Sequence, residues 1–160
     1  MILALKNLKE HQDISEETLC FSATIYVNGK KAGKVMNDGQ GGCNEYHWTD
    51  SILGSQIEAW AEAQATEFDF EKLDQIIDRL IQVENVRKVF QRWTRKKTYF
   101  RLLEDPLNMW NIINSPYSPQ IKEFIHRKYG NKVDFILNED IDRAIAIEMG
   151  EHSVALSRRR

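Results

Sequence analysis

The sequence predicts an α+β fold: a small antiparallel sheet with an N-terminal β-hairpin, packed with a long central helix and C-terminal helices. Three observations carry this. Between Leu19 and Val27 apolar and polar residues alternate with a period of two. Asn28-Gly29, the preferred pair for a type I′ turn, follows at once. From Phe70 to Trp93 the period changes to that of a helix, through Leu73, Ile76, Ile77, Leu80, Val83 and Phe90.

Residues 2–8 predict a first strand, and Ser15-Glu16-Glu17-Thr18 a polar turn. In the second strand Leu19, Phe21, Ala23, Ile25 and Val27 share one face. The return strand covers Lys30–Met36; Ala32 and Val35 fall on opposite parities, so Gly33 marks a bulge. A short third strand covers Asn44–Trp48. Ile52, Ile57, Trp60 and Ala61 give a helix over 52–64. The long helix, capped by Asp69, reaches Thr94 and softens near Glu84-Asn85. Thr98–Leu102 reads as a strand, and 105–118 as a turn-rich connector with Pro106, Pro116 and Pro119 close by. Ser118-Pro119 starts a helix that Gly130 ends. Val133–Leu137 is a short apolar run. Asn138 then caps a final helix that Gly150 terminates. Residues 1–150 are expected to form a single domain, and 151–160, ending Arg158-Arg159-Arg160, a flexible basic tail.

At 160 residues the chain is long enough for a real core, and 42% hydrophobic with 29% charged residues is ordinary for a globular protein. A net charge of −2 excludes a general electrostatic footprint for nucleic acid, so any such binding must come from a local patch. Cys20 and Cys43 lie in no CxxC spacing, which points to a reduced, intracellular protein. Met1–Lys6 meets charge too soon for a signal-peptide core, and no window approaches the roughly 18 apolar residues of a membrane span. A cytoplasmic location with no membrane partner is expected.

The stretch Asn37-Asp38-Gly39-Gln40-Gly41-Gly42-Cys43-Asn44-Glu45-Tyr46-His47-Trp48 concentrates the candidate chemistry. Backbone amides of glycine-rich turns can form a nest for phosphate oxygens, with Asn37, Gln40, Asn44 and Tyr46 adding polar contacts. No Lys-Ser/Thr follows, so it is not a P-loop, and the spacing is not a dinucleotide fingerprint. The competing reading is a tight strand connection that needs glycine for shape alone. Cys43 and His47 offer a nucleophile and a base, but in a strand they lie about 13 Å apart. Cys20, Cys43, His47 and His126 match no zinc spacing, and Asp134, Glu139, Asp140 and Asp142 match no calcium loop. No metal or cofactor is expected. Arg92-Trp93-Thr94-Arg95-Lys96-Lys97-Thr98-Tyr99-Phe100-Arg101 interleaves cations with rings, as a nucleotide or nucleic-acid site requires. Trp93 and Phe100 also continue the apolar pattern of their own elements.

Two stretches, Thr18–Trp48 with its Asn37-Asp38-Gly39-Gln40-Gly41-Gly42 loop and Lys97–Glu139 with Pro116-Tyr117-Ser118-Pro119, Lys128-Tyr129-Gly130 and Ile136-Leu137-Asn138-Glu139, together resemble small uncharacterised proteins of bacteriophages and other mobile elements. The resemblance implies a setting rather than an activity: such proteins often bind a host enzyme or an immune signalling nucleotide. The expectation is therefore a non-enzymatic, phage-type binding protein, acting against host defence. Asp38, Gly39, Gly41, Gly42, Asn44, Tyr46 and His47, with Arg92, Arg95 and Lys96, would hold a phosphate-bearing ligand such as a nucleotide, or a host protein. The alternatives are an enzyme acting on nucleic acid or nucleotides through Cys43 or His47, and an inhibitor presenting an acidic helix with Glu58, Glu62 and Glu67. Exposed faces of the long helix could support an oligomer.

Overall fold

The computed structural model of the protein describes residues 1–106 and 109–150. The fold is α+β. The packing groups the chain into two compact units, Met1–Glu84 and Asn85–Arg160, where the sequence suggested one domain over 1–150. The boundary falls inside the long helix, at the Glu84-Asn85 step. The expected basic tail, 151–160, lies outside the described residues.

The first unit is built on four antiparallel strands in the order β1 (Leu3–Glu10), β2 (Phe21–Val27), β3 (Lys30–Asn37) and β4 (Glu45–Trp48). The hairpin turn is as the sequence dictates: Asn28 and Gly29 both take positive φ, 47° and 81°. The bulge expected at Gly33 is present. Ile25 pairs with Gly33 but Tyr26 with Lys31, which leaves Ala32 as the extra residue. Gly33 also permits the approach of β4, since a Cβ there would stand 2.7 Å from the His47 carbonyl oxygen. One face of the sheet carries Leu5, Phe21, Ala23, Ile25, Val27 and Val35. Against it pack Ile57 and Ala61 of α1 (Ser51–Glu62) and Leu73, Ile77 and Ile81 of α2 (Lys72–Thr94). Asp50 caps α1 by accepting the Ile52 and Leu53 amides. Helix α1 stops at Glu62, so Glu67 is not on it, and Glu58 accepts a hydrogen bond from the Trp48 indole.

Asp69 does not cap α2. The helix begins at Lys72 because Glu71 takes a left-handed φ of 48°, and Asp69 pairs instead with the Lys72 ammonium at 2.8 Å. Phe70 accordingly lies outside the helical stripe, exposed and stacked on Phe68.

The second unit has a three-stranded antiparallel sheet in the order β6 (Asn111–Ile113), β5 (Thr98–Leu102) and β7 (Val133–Ile136). Strand β6 lies within the segment read as connector. Three residues are too few to display a period, and only pairing with β5 makes them a strand. Helix α3 (Pro119–Tyr129) has the expected Ser118 cap, proline start and Gly130 stop, the last at φ 55°. Phe100, Ile125 and Ile136 form the core of this sheet and helix. Helix α4 (Ile141–Glu148) is capped by Asp140, which accepts the Arg143 amide; Asn138 does other work. Among the described residues, no helix is long and apolar enough to cross a membrane.

Candidate functional site

The glycine loop closes on itself around Asn37, the buried last residue of β3. Its Oδ1 accepts from the Thr18 hydroxyl at 2.7 Å and from the Gly39 amide at 2.9 Å. Its Nδ2 donates to the Gly42 carbonyl at 3.2 Å and to Asn44 Oδ1 at 3.1 Å. The Gly39 carbonyl in turn accepts the backbone amides of Glu16, Glu17 and Thr18. The Gln40 amide goes to Asp38 Oδ1 and the Gly41 amide to the Thr18 hydroxyl.

Three successive amides that a phosphate nest here would draw on, those of residues 39, 40 and 41, are thus occupied from within. The carboxylates nearby are also of the wrong sign for an anion. Glu17 stands so close that a Cβ on Gly41 would meet its Oε2 at 2.6 Å, and Asp38 is exposed beside it. Gly39 is required for shape: its φ is +84°, and a Cβ would lie 2.8 Å from Cys20 Cβ and 2.9 Å from the Ile14 carbonyl oxygen. The geometry favours the shape reading of this loop over the anion-nest reading.

Beyond the loop, the strand residues are held by the start of α2. Asp74 accepts from the Asn44 amide at 2.8 Å and from the Tyr46 hydroxyl at 2.5 Å. Burial, then the hydrogen bond to Asp74, raises the Tyr46 pKa. The Tyr46 ring stacks on Trp48, with centroids 5.4 Å apart. Asn44 and Tyr46 are therefore joints between β4 and α2. Cys43 lies outside β4, so the strand spacing expected for Cys43 and His47 does not apply. Its thiol donates to Glu71 Oε1 at 3.1 Å, and this bond, reinforced by the carboxylate's charge, raises its pKa. A reactive cysteine needs the opposite shift. His47 is exposed on the outer face of the sheet, 4.0 Å from the Glu45 carboxylate.

Cys43, Glu71 and Asp74 do bring one ligand atom each within 4.8 Å of one another, a grouping no spacing in the sequence announced. Both Asp74 oxygens are already hydrogen-bonded and the thiol keeps its proton, so the trio as it stands is a polar latch between the loop and α2. A cleft of 560 Å³ opens elsewhere along α2, lined by Thr66, Phe68, Gln75, Ile76 and Asp78. Its amide is engaged too: Gln75 holds the Phe68 amide and the Phe68 and Phe70 carbonyls.

The basic segment is arranged differently. Arg92 stands in the last turn of α2, and Arg95, Lys96 and Lys97 in the turn that leads to β5. All four are exposed, and among the described residues none has an ion-pair partner. Asn138 fixes this turn. Its Nδ2 donates to the Thr94 carbonyl at 3.3 Å and the Lys97 carbonyl at 3.0 Å, and its Oδ1 accepts the Tyr99 amide at 3.0 Å. Phe100 and Arg101 are buried, as the apolar pattern suggested for the former. Trp93 departs from that pattern: it keeps 37% of its surface exposed while stacking on Tyr99, centroids 5.2 Å apart and planes 20° apart.

The ten residues picked out by sequence thus fall into separate settings. Asp38, Gly39, Gly41 and Gly42 shape a loop, Asn44 and Tyr46 join a strand to a helix, and His47 faces outward from the sheet. Arg92, Arg95 and Lys96 share one exposed turn. The first seven belong to the N-terminal unit and the last three to the C-terminal unit. Asn138, which sequence reasoning took for a helix cap, is the residue that fixes that turn. No family model, curated protein or solved structure matches the chain.

Proposed function

We propose that the protein is a non-enzymatic binding protein that holds a phosphate-bearing ligand of nucleotide type at the turn after α2. Arg92, Arg95 and Lys96 supply the charge, and Trp93 the surface for stacking. One observation carries this reading: four cations within six residues that have no ion-pair partner among the described residues, held by Asn138 beside a partly exposed indole. Cations left without carboxylates are the groups that gain most from a phosphate, and base–aromatic stacking adds about 1–3 kcal/mol per base. The glycine loop supports this function only by shaping its own unit. The resemblance to small phage proteins supplies the setting, sequestration of a signalling nucleotide in an infected cell.

Calorimetry with a panel of linear and cyclic nucleotides tests the proposal. At least one should bind, and Arg95→Glu/Lys96→Glu should weaken it tenfold or more with the fold intact. Silence across the panel, or equal binding by the charge-reversed variant, would remove the reading.

A further inference from the structure

The sheet of the N-terminal unit has one covered face and one open face, and the open face is chemically one-sided. Along β2, Ser22, Thr24 and Tyr26 alternate with the buried Phe21, Ala23, Ile25 and Val27, so they point away from the core. The strand register carries this face across all four strands. Lys6 pairs with Thr24, Thr24 with Lys34, and Lys34 with His47, giving one row. Lys9 and Met36 flank Ser22, and Lys31 flanks Tyr26.

Among the described residues four lysines therefore share a surface with three hydroxyls and, at the Ser22–Met36 end, the carboxylates of Glu45 and Asp38, the first of which already has His47 at 4.0 Å. Among the described residues none of the four lysines is ion-paired; Lys6 instead lies over the Tyr26 ring, 4.3 Å from its centroid. Elsewhere Lys72, Arg87, Lys122 and Arg143 all have carboxylate partners. A chain of net charge −2 has acid enough to neutralise these lysines and places it elsewhere.

We infer that this open face binds the sugar–phosphate backbone of a single-stranded nucleic acid. Neighbouring strands stand about 4.8 Å apart, so Lys6 and Lys34, with β2 between them, are anchored roughly 10 Å apart. That separation suits two separate phosphates of one strand, reached by flexible lysine side chains, better than a single phosphate group. Ser22, Thr24 and Tyr26 add neutral donors of the kind that contact phosphate oxygens. A protein partner fits less well, because interface cores are apolar and depleted of lysine, and Met36 is the large apolar side chain this face exposes. The inference concerns the other unit from the Arg92–Lys97 turn and stands independently of the function proposed there.

The test is fluorescence anisotropy of a labelled oligo-dT 20-mer with the full chain, across a salt series. Binding should weaken with salt, with a log–log slope near −3 if four phosphates are neutralised, at about −0.7 each. Lys6→Glu/Lys34→Glu should weaken binding at low salt by tenfold or more, with circular dichroism unchanged. Lys9→Glu/Lys31→Glu is the second variant should the first not fold. Arg95→Glu/Lys96→Glu should weaken oligo-dT binding less than Lys6→Glu/Lys34→Glu does, which separates this surface from the nucleotide site; an equal or larger loss in the Arg95/Lys96 variant would overturn the inference. No binding at 20 mM salt, or indifference to both lysine pairs, would overturn the inference. Tighter binding to the matched duplex, or equal displacement by poly-glutamate, would also overturn it, pointing respectively to duplex and to an acidic protein.

Discussion

Two asparagines do the same work in the two units, and the loops they hold differ in what remains available. Asn37 and Asn138 each use both ends of a side-chain amide to tie a connecting segment together. Around Asn37 the backbone amides turn inward, carboxylates stand outside, and glycines fill places where a Cβ would collide. Around Asn138 only carbonyls and one amide are engaged, and four exposed cationic side chains have no ion-pair partner among the described residues. The first loop is occupied by its own hydrogen bonds; the second is rigid but chemically open. A glycine-rich sequence marks backbone freedom, and whether that freedom serves a ligand depends on whether the amides are still available.

The largest effect in this comparison should come from Gly39. Gly39→Val combines a left-handed residue with collisions against Cys20 and the Ile14 carbonyl, and should cost about 3 kcal/mol or more in denaturant melts. Asn37→Ala should follow at about 2–3 kcal/mol, because buried donors and acceptors lose their partner. Neither should alter nucleotide affinity per folded molecule.

Asn138→Ala should cost less, about 1–2 kcal/mol, yet weaken nucleotide binding severalfold without removing a cation. Asn138→Asp, which retains the acceptor for the Tyr99 amide and loses both donors, should recover stability only in part. Calorimetry beside thermal melts separates the positioning effect from a general loss of fold.

Cys43 sharpens the contrast from its chemical side. With its pKa raised by the Glu71 hydrogen bond, the Cys43–Glu71 contact is fully present below the usual thiol value and is lost only as pH rises through the raised one. Alkylation of Cys43 at pH 8 should therefore be slower than that of a free cysteine, and Glu71→Gln should speed it several-fold. The buried Cys20 should stay unreactive throughout. Fast alkylation of the wild-type thiol at pH 8 would instead restore Cys43 as a candidate nucleophile.

Much of the fold is legible because it rests on local rules. Asn28-Gly29 dictates the hairpin, Ser118-Pro119 and Gly130 bound α3, and the apolar stripe of α2 is visible from Leu73 to Phe90, though not at its predicted ends, Phe70 and Trp93. What escapes the sequence depends on distant pairing. Strand β6 exists through β5, the α2 start depends on the φ of Glu71, and Asn138 is claimed by a turn some forty residues earlier. The site divides the same way. The basic turn is readable as a charge run next to rings, but glycine spacing cannot tell that Thr18 and Asn37 occupy the loop from within. The basic sheet face hides because its lysines come from two strands and meet only through register.

The most direct test sets Gly41→Val beside Arg95→Glu/Lys96→Glu, measuring thermal stability and nucleotide affinity for each. Gly41 takes φ +91° near Glu17, whereas the two cations are exposed at a surface where substitutions usually change stability by less than about 0.5 kcal/mol. The account predicts a lowered Tm with unchanged Kd for Gly41→Val, and an unchanged Tm with affinity reduced at least tenfold for the charge reversal. Lost affinity in Gly41→Val at full stability, with the charge-reversed protein binding normally, would contradict it and return the ligand to the glycine loop.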